Sequence, residues 1–218
     1  MALQVPDPYL RSVFAPAAPA VAGLLTGFSL IVAIGAQNAY VLRQGVLRSH
    51  VGPIVAVCAL SDLVLIAAGV GGVGTLVTQT GWALDAVRWF GVAFLLWYAT
   101  GALRRALHPE TLAGATSAGE SRSTAVGRAV ALTWLNPHVY LDTLLLLGSI
   151  AATHAGAGGD GRWWFAAGAG LASVVWFSTL GFGARALAPL LSRPRAWQAL
   201  ELLVAATMVF VAVKLAHP

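Results

Sequence analysis

Six apolar runs, at roughly 20–42, 50–77, 84–106, 127–152, 163–187 and 196–216, leave this chain few ways to fold. A run of about 20 residues matches a bilayer core about 30 Å thick. Inside that core every backbone N–H and C=O must be bonded within the protein, which a helix does residue by residue. Composition agrees: 10% of the 218 residues are charged and the mean hydropathy is +0.78, whereas soluble domains carry about a quarter charged residues. The expected fold is all-α, a polytopic membrane protein with six transmembrane helices embedded in the lipid bilayer.

A net charge of +5 would suggest nucleic acid in a soluble protein. Here the arginines separate apolar runs, so the charge reads as topology and no nucleic-acid partner is expected. Arg43, Arg48, Arg104, Arg105, Arg122, Arg128, Arg185, Arg193 and Arg195 follow runs one, three and five, which makes nine. Arg11, Arg88, Arg162 and Lys214 lie on the other side, which makes four. The positive-inside rule then puts both termini outside. Cys58 is the only cysteine, which excludes an internal disulfide and a CxxC redox pair. Residues 1–18 lack the basic and apolar regions of a cleavable signal peptide and read as an N-terminal extension.

The polar stretch "HPETLAGATSAGESRST" (108–124) reads as a flexible cytoplasmic linker. It divides the chain into a first repeat, 19–107, a linker, 108–125, and a second repeat, 126–218. Ser61 stands eight before Gly69, as Ser173 stands eight before Gly181, and "IGAQNAYV" has a counterpart in "TWLNPHVY". Three helices per half force the halves into opposite orientations, so two inverted three-helix repeats are expected.

Each half has one interrupted helix. Pro137 lacks an N–H and its ring crowds the carbonyl of Thr133, and Asn136 beside it can bond the freed backbone. In helix 1, Gly35 precedes the amides Gln37 and Asn38. Matching interruptions are the best sequence pointer to a transporter's binding site. Asp62 and Asp142 then lie within apolar runs, where a central carboxylate costs about 2.5–3.5 kcal/mol on insertion scales and is presumed functional. All thirteen Lys and Arg residues are read at helix ends, in loops or near the termini, so the two acids leave a vacancy for a cation. Asp85, Asp160, Glu110, Glu120 and Glu201 read as ordinary solvated charges. His138, Ser61, Trp134, Tyr140 and Trp176 are further candidates for lining a cavity. "GVGGVG" (69–74) has the spacing of a dinucleotide fingerprint but no preceding strand, and reads as helix packing. Pairs such as Gly23 and Gly27 permit helix association, including between copies of the chain. No cofactor, metal site or enzymatic motif is read.

"GAQNAYVLRQG" (35–45), "SD" (61–62), "RWFGVAFLLWYA" (88–99), "LTWLNPHVYLD" (132–142) and "WFSTLGFGARAL" (176–187) together resemble the LysE family of lysine and arginine exporters. The resemblance covers nearly all the chain beyond residue 20. It implies a secondary transporter of the bacterial inner membrane that exports L-lysine or L-arginine, driven by the proton gradient or membrane potential. It assigns Gln37, Asn38, Asn136 and Pro137 to the family's two motifs, and Asp62 and Asp142 to its intramembrane acids. Export of neutral amino acids or small metabolites, or of a metal cation, are the rival readings. Ala36 stands where the family's first motif has proline, so helix 1 is expected to be less broken than helix 4.

Overall fold

The computed structural model describes residues 16–32, 35–72, 81–107, 120–136, 139–156, 159–191 and 193–217, and every regular element among them is helical. Helix α1 spans Ala17–Ile31, α2 Ala36–Leu47 and α3 Val51–Val70. Helix α4 spans Gly81–Leu107 and α5 Arg122–Trp134. Helix α6 starts as a π-helical stretch, Tyr140–Leu147, and continues as α-helix over Gly148–Thr153. Helix α7 spans Gly161–Gly183 and runs on through a 3-10 turn, Ala184–Leu187, while α8 spans Pro194–Ala216.

Local chemistry sets several of these ends. Ser121 Oγ accepts from the Thr124 N–H at 3.2 Å and caps α5, and Pro194 opens α8 where its missing N–H leaves no bond unmade. Arg48 and His50 both take left-handed backbone conformations, with φ of 54° and 51°, in the tight turn between α2 and α3. His50 Nε2 bonds the Glu120 carbonyl at 2.9 Å, tying that turn to the foot of α5.

Among the described residues, three helices are long and apolar enough to cross a membrane: α3, α7 with its continuation to Leu190, and α8. A fourth span arises if α1 and α2, whose axes lie 83° apart, are one broken crossing. The chain is therefore a multi-pass membrane protein. The run at 127–152 does not form one helix, because α5 ends at Trp134 and the chain restarts as α6. Helix α4, at 27 residues, carries Arg88 near one end and Arg104 and Arg105 at the other.

Helix α7 lies against both α1 and α3, and α4 lies along α8. The α1–α7 contact is set by small residues. A Cβ at Gly23 would collide with the Phe165 carbonyl, and one at Gly168 with the Ala20 carbonyl. Backbones this close gain dispersion contacts that bulkier side chains would forbid. Gly69 meets α6 in the same way, since its Cβ would stand 2.7 Å from the Thr143 oxygen. So the first glycine of "GVGGVG" is a packing surface, as expected. Replacing Gly168 by valine is expected to separate α1 from α7 and cost roughly 2 kcal/mol or more. A lowered unfolding midpoint in mild detergent would register it, and an unchanged midpoint would contradict the packing account.

The reading of all acids other than Asp62 and Asp142 as solvated is wrong for two of them. Glu201 is 0% exposed within α8, and Arg43, 8% exposed within α2, is its partner. Glu120 is held by Arg128 at 2.9 Å. The expectation that basic residues keep to the ends and loops therefore fails for Arg43. Its guanidinium can be buried because Glu201 neutralises it and the Trp197 ring, 5.7 Å away, covers its face. Glu110 lies outside the described residues.

Candidate functional site

The two interruptions meet at one cavity of about 340 Å³. In the first half, Gly35 is extended (φ −131°, ψ 169°) and α2 restarts at Ala36. Helix 1 is sharply broken here, with 83° between α1 and α2. Asn38 supplies the reason. Its Nδ2 donates to the Ile31 carbonyl at 2.7 Å, capping the broken end of α1, and its Oδ1 accepts from Trp176 Nε1 at 3.2 Å. A side-chain amide thus gives the freed backbone a partner at a break that contains no proline.

In the second half the break lies between Trp134 and Val139. Pro137 and His138 lie outside the described residues. Around the break, Trp134 Nε1 donates to Ser61 Oγ at 3.1 Å and Tyr140 donates its hydroxyl hydrogen to the Trp134 carbonyl at 2.7 Å. Ser61, Trp134, Tyr140 and Trp176 therefore brace the two breaks from behind. Gly35, Gln37, Asn38, Asn136, Asp62 and Asp142 line the cavity itself.

Asp62 and Asp142 come to this shared space from different halves of the chain. Asp62 is 7% exposed, and Ser173 Oγ on α7 donates to its Oδ2 at 2.8 Å. That bond joins α3 to α7 and fixes one carboxylate oxygen. Asp142 stands in the first turn of α6, on its π-helical stretch. The amide dipoles at a helix start favour a negative charge there, and π-helical turns concentrate at functional positions.

A helix start, an amide and one cation complete the lining. The start of α2, where Gly35 makes no side-chain cap bond, borders the cavity. Gln37 Nε2 is buried without a hydrogen bond of good geometry, its amide beside the Cys58 thiol. Lys214, in the last turn of α8, also lines the cavity. Neither Ser173 nor Lys214 was singled out from sequence. Lys214 had one visible signal: it is the chain's only lysine among thirteen basic residues. Among the described residues, no group of three or more His, Cys, Asp and Glu side chains is placed to hold a metal ion.

A second polar cluster lies toward the other end of α8. Glu201 accepts from Arg43 Nε at 2.7 Å and from Arg105 Nε at 3.1 Å, linking α2, α4 and α8. Nearby, Gln44 Nε2 donates to Glu120 at 3.1 Å. Glu201 and Lys214 are thirteen residues apart on one helix, or about 20 Å at 1.5 Å per residue. The cavity and the charge cluster are therefore separate layers.

Comparison with known proteins places this geometry. The LysE type translocator family matches residues 28–218. The chain is 43% identical over 196 residues to the arginine exporter protein ArgO of Pectobacterium carotovorum, covering 89% of this chain and 95% of the relative. It is 41% identical over 223 aligned positions to the lysine exporter LysE of Corynebacterium efficiens, covering 89% and 96%. A putative amino-acid transporter of Mycobacterium bovis is 47% identical over 185 residues, 85% of this chain and 90% of the relative. No solved structure matches the fold.

Proposed function

We infer function from one premise: this chain belongs to the LysE family of translocators and is a membrane transporter, not an enzyme. We propose that it exports basic amino acids, lysine or arginine, across the bacterial inner membrane. The observation that carries this reading is the meeting of Asp62 and Asp142 with both helix interruptions at one cavity. The relatives named as arginine and lysine exporters point to the same substrates.

The substrate's α-carboxylate would be received at the start of α2, beside the Gln37 amide. Helix starts are ready anion sites. Asp142, with Asp62, would receive the side-chain ammonium or guanidinium, where a carboxylate in low dielectric binds a cation strongly. Asn136 and Pro137 would shape the opening between α5 and α6. A carboxylate that takes either a proton or the substrate cation, but not both, couples the two fluxes, and Asp142 would be that carboxylate.

The chain would cross the membrane six times, as two inverted three-helix halves, 19–107 and 126–218. The linker 108–125 would lie in the cytoplasm and the extension 1–18 outside. In that orientation the cluster of Arg43, Glu201 and Arg105 lies on the cytoplasmic side of the cavity. It would hold α2, α4 and α8 together when that side is closed.

The test is efflux from cells loaded with lysine- or arginine-containing dipeptides, with and without the protein. Faster loss of basic amino acids than in control cells is expected. Faster loss of neutral amino acids alone, or of a divalent metal alone, would overturn the substrate assignment.

A further inference from the structure

We propose that Lys214 sets the net charge the cavity accepts, so that it takes a basic amino acid and turns away a diamine. This rests on the reading of the cavity as the site for basic amino acids. The charged side chains lining the cavity among the described residues are Asp62, Asp142 and Lys214. With both carboxylates ionised, their formal charges sum to −1. A basic amino acid carries its α-ammonium, its side-chain cation and its carboxylate, a net +1, and brings that sum to zero. The same molecule without its carboxylate carries +2 and would leave the cavity at +1.

A lysine near the end of a membrane helix ordinarily extends to the interface and nothing more. Three observations set this one apart. Lys214 borders the same cavity as the two acids. Its Nζ sits 5.3 Å from the centre of the Phe210 ring, another lining residue, and both side chains are exposed, so the ammonium stands at the open mouth of the cavity. The helix end that carries it is fixed, because Arg88 Nη2 donates to the Ala216 carbonyl at 2.8 Å. All twelve other basic residues are arginines.

Removing Lys214 shifts the balance by one unit, whatever further groups meet Asp142. At −2 the lining matches a dication. Two unit charges about 8 Å apart at an effective dielectric of about 30, suited to an exposed ammonium, shift a binding constant by roughly tenfold. The effect is therefore one of selectivity, and basic amino acids should still be transported.

The experiment compares arginine with agmatine, which keeps the guanidinium and lacks the carboxylate. Purified intact protein, Lys214→Gln and Lys214→Arg are reconstituted in liposomes and the transport of both compounds is measured. The intact protein is expected to prefer arginine, and Lys214→Gln to lower the arginine-to-agmatine ratio by roughly tenfold. Lys214→Arg, which keeps the charge, should retain the original ratio. An unchanged ratio in Lys214→Gln, with arginine transport intact, overturns the role of Lys214 and leaves the proposed function standing. Failure of the intact protein to move arginine or lysine overturns the proposed function first, and the selector with it. Lys214→Ala is a second charge-removing variant, should the glutamine protein not reach the membrane.

Discussion

Asp142→Asn is expected to lower export of arginine and lysine by about a hundredfold, with the amount of protein in the membrane unchanged. Truncating one side of a buried, hydrogen-bonded charge pair costs about 2–5 kcal/mol. In this site that loss falls on the bound substrate, whose cation would face an amide dipole where a carboxylate had been. The folded protein loses much less. Asparagine has nearly the same shape, and it stands in the first turn of α6, where a polar neutral side chain is well tolerated. The check is efflux from dipeptide-loaded cells at matched expression. Undiminished export by the variant would remove Asp142 from the site. Asp62→Asn is the natural companion, since its amide oxygen could still accept from Ser173. Its export should fall as well, because charge rather than hydrogen bonding is what the cation needs.

The second large effect is on stability. Glu201→Leu leaves Arg43 and Arg105 without the carboxylate that both of them meet, at a position with no exposed surface. Breaking a buried ion pair from one side costs about 3–5 kcal/mol, a large part of the stability of a small protein. The unfolding midpoint in mild detergent should drop sharply. Combining Arg43→Met with Glu201→Leu should recover part of the loss, since replacing both partners by apolar groups is far less costly than orphaning one. A single Glu201→Leu variant as stable as the original would mean that the cluster holds nothing together.

The sequence made the broad outline legible because membrane solvation is unforgiving. Long apolar runs had to be helices, and carboxylates such as Asp62 and Asp142 within them had to have a reason. That reasoning placed both acids and both amide motifs at what proved to be one cavity. The same rule applied to Glu201, which lies within the last apolar run, but the acid was assigned to the interface. Its partner Arg43 is 158 residues away, and nothing local announces the pair. No proline marks the sharp turn before Ala36, and its angle was not legible from the sequence. There the break depends on Asn38 reaching back seven residues to Ile31. Lys214, though the chain's only lysine, was hard to place for a different reason. Which side of α8 faces the cavity depends on how α8 packs against α4, and periodicity is a weak guide in a helix apolar on nearly every face.

The central claim is that the cavity binds basic amino acids as such. Counterflow with the purified protein in liposomes tests it most directly: vesicles filled with one unlabelled amino acid are given labelled arginine outside. Internal arginine or lysine should drive strong transient accumulation of label, and internal leucine or alanine should not. Equal accumulation with neutral amino acids inside would contradict the account, because a site built around Asp62 and Asp142 has no reason to hold them.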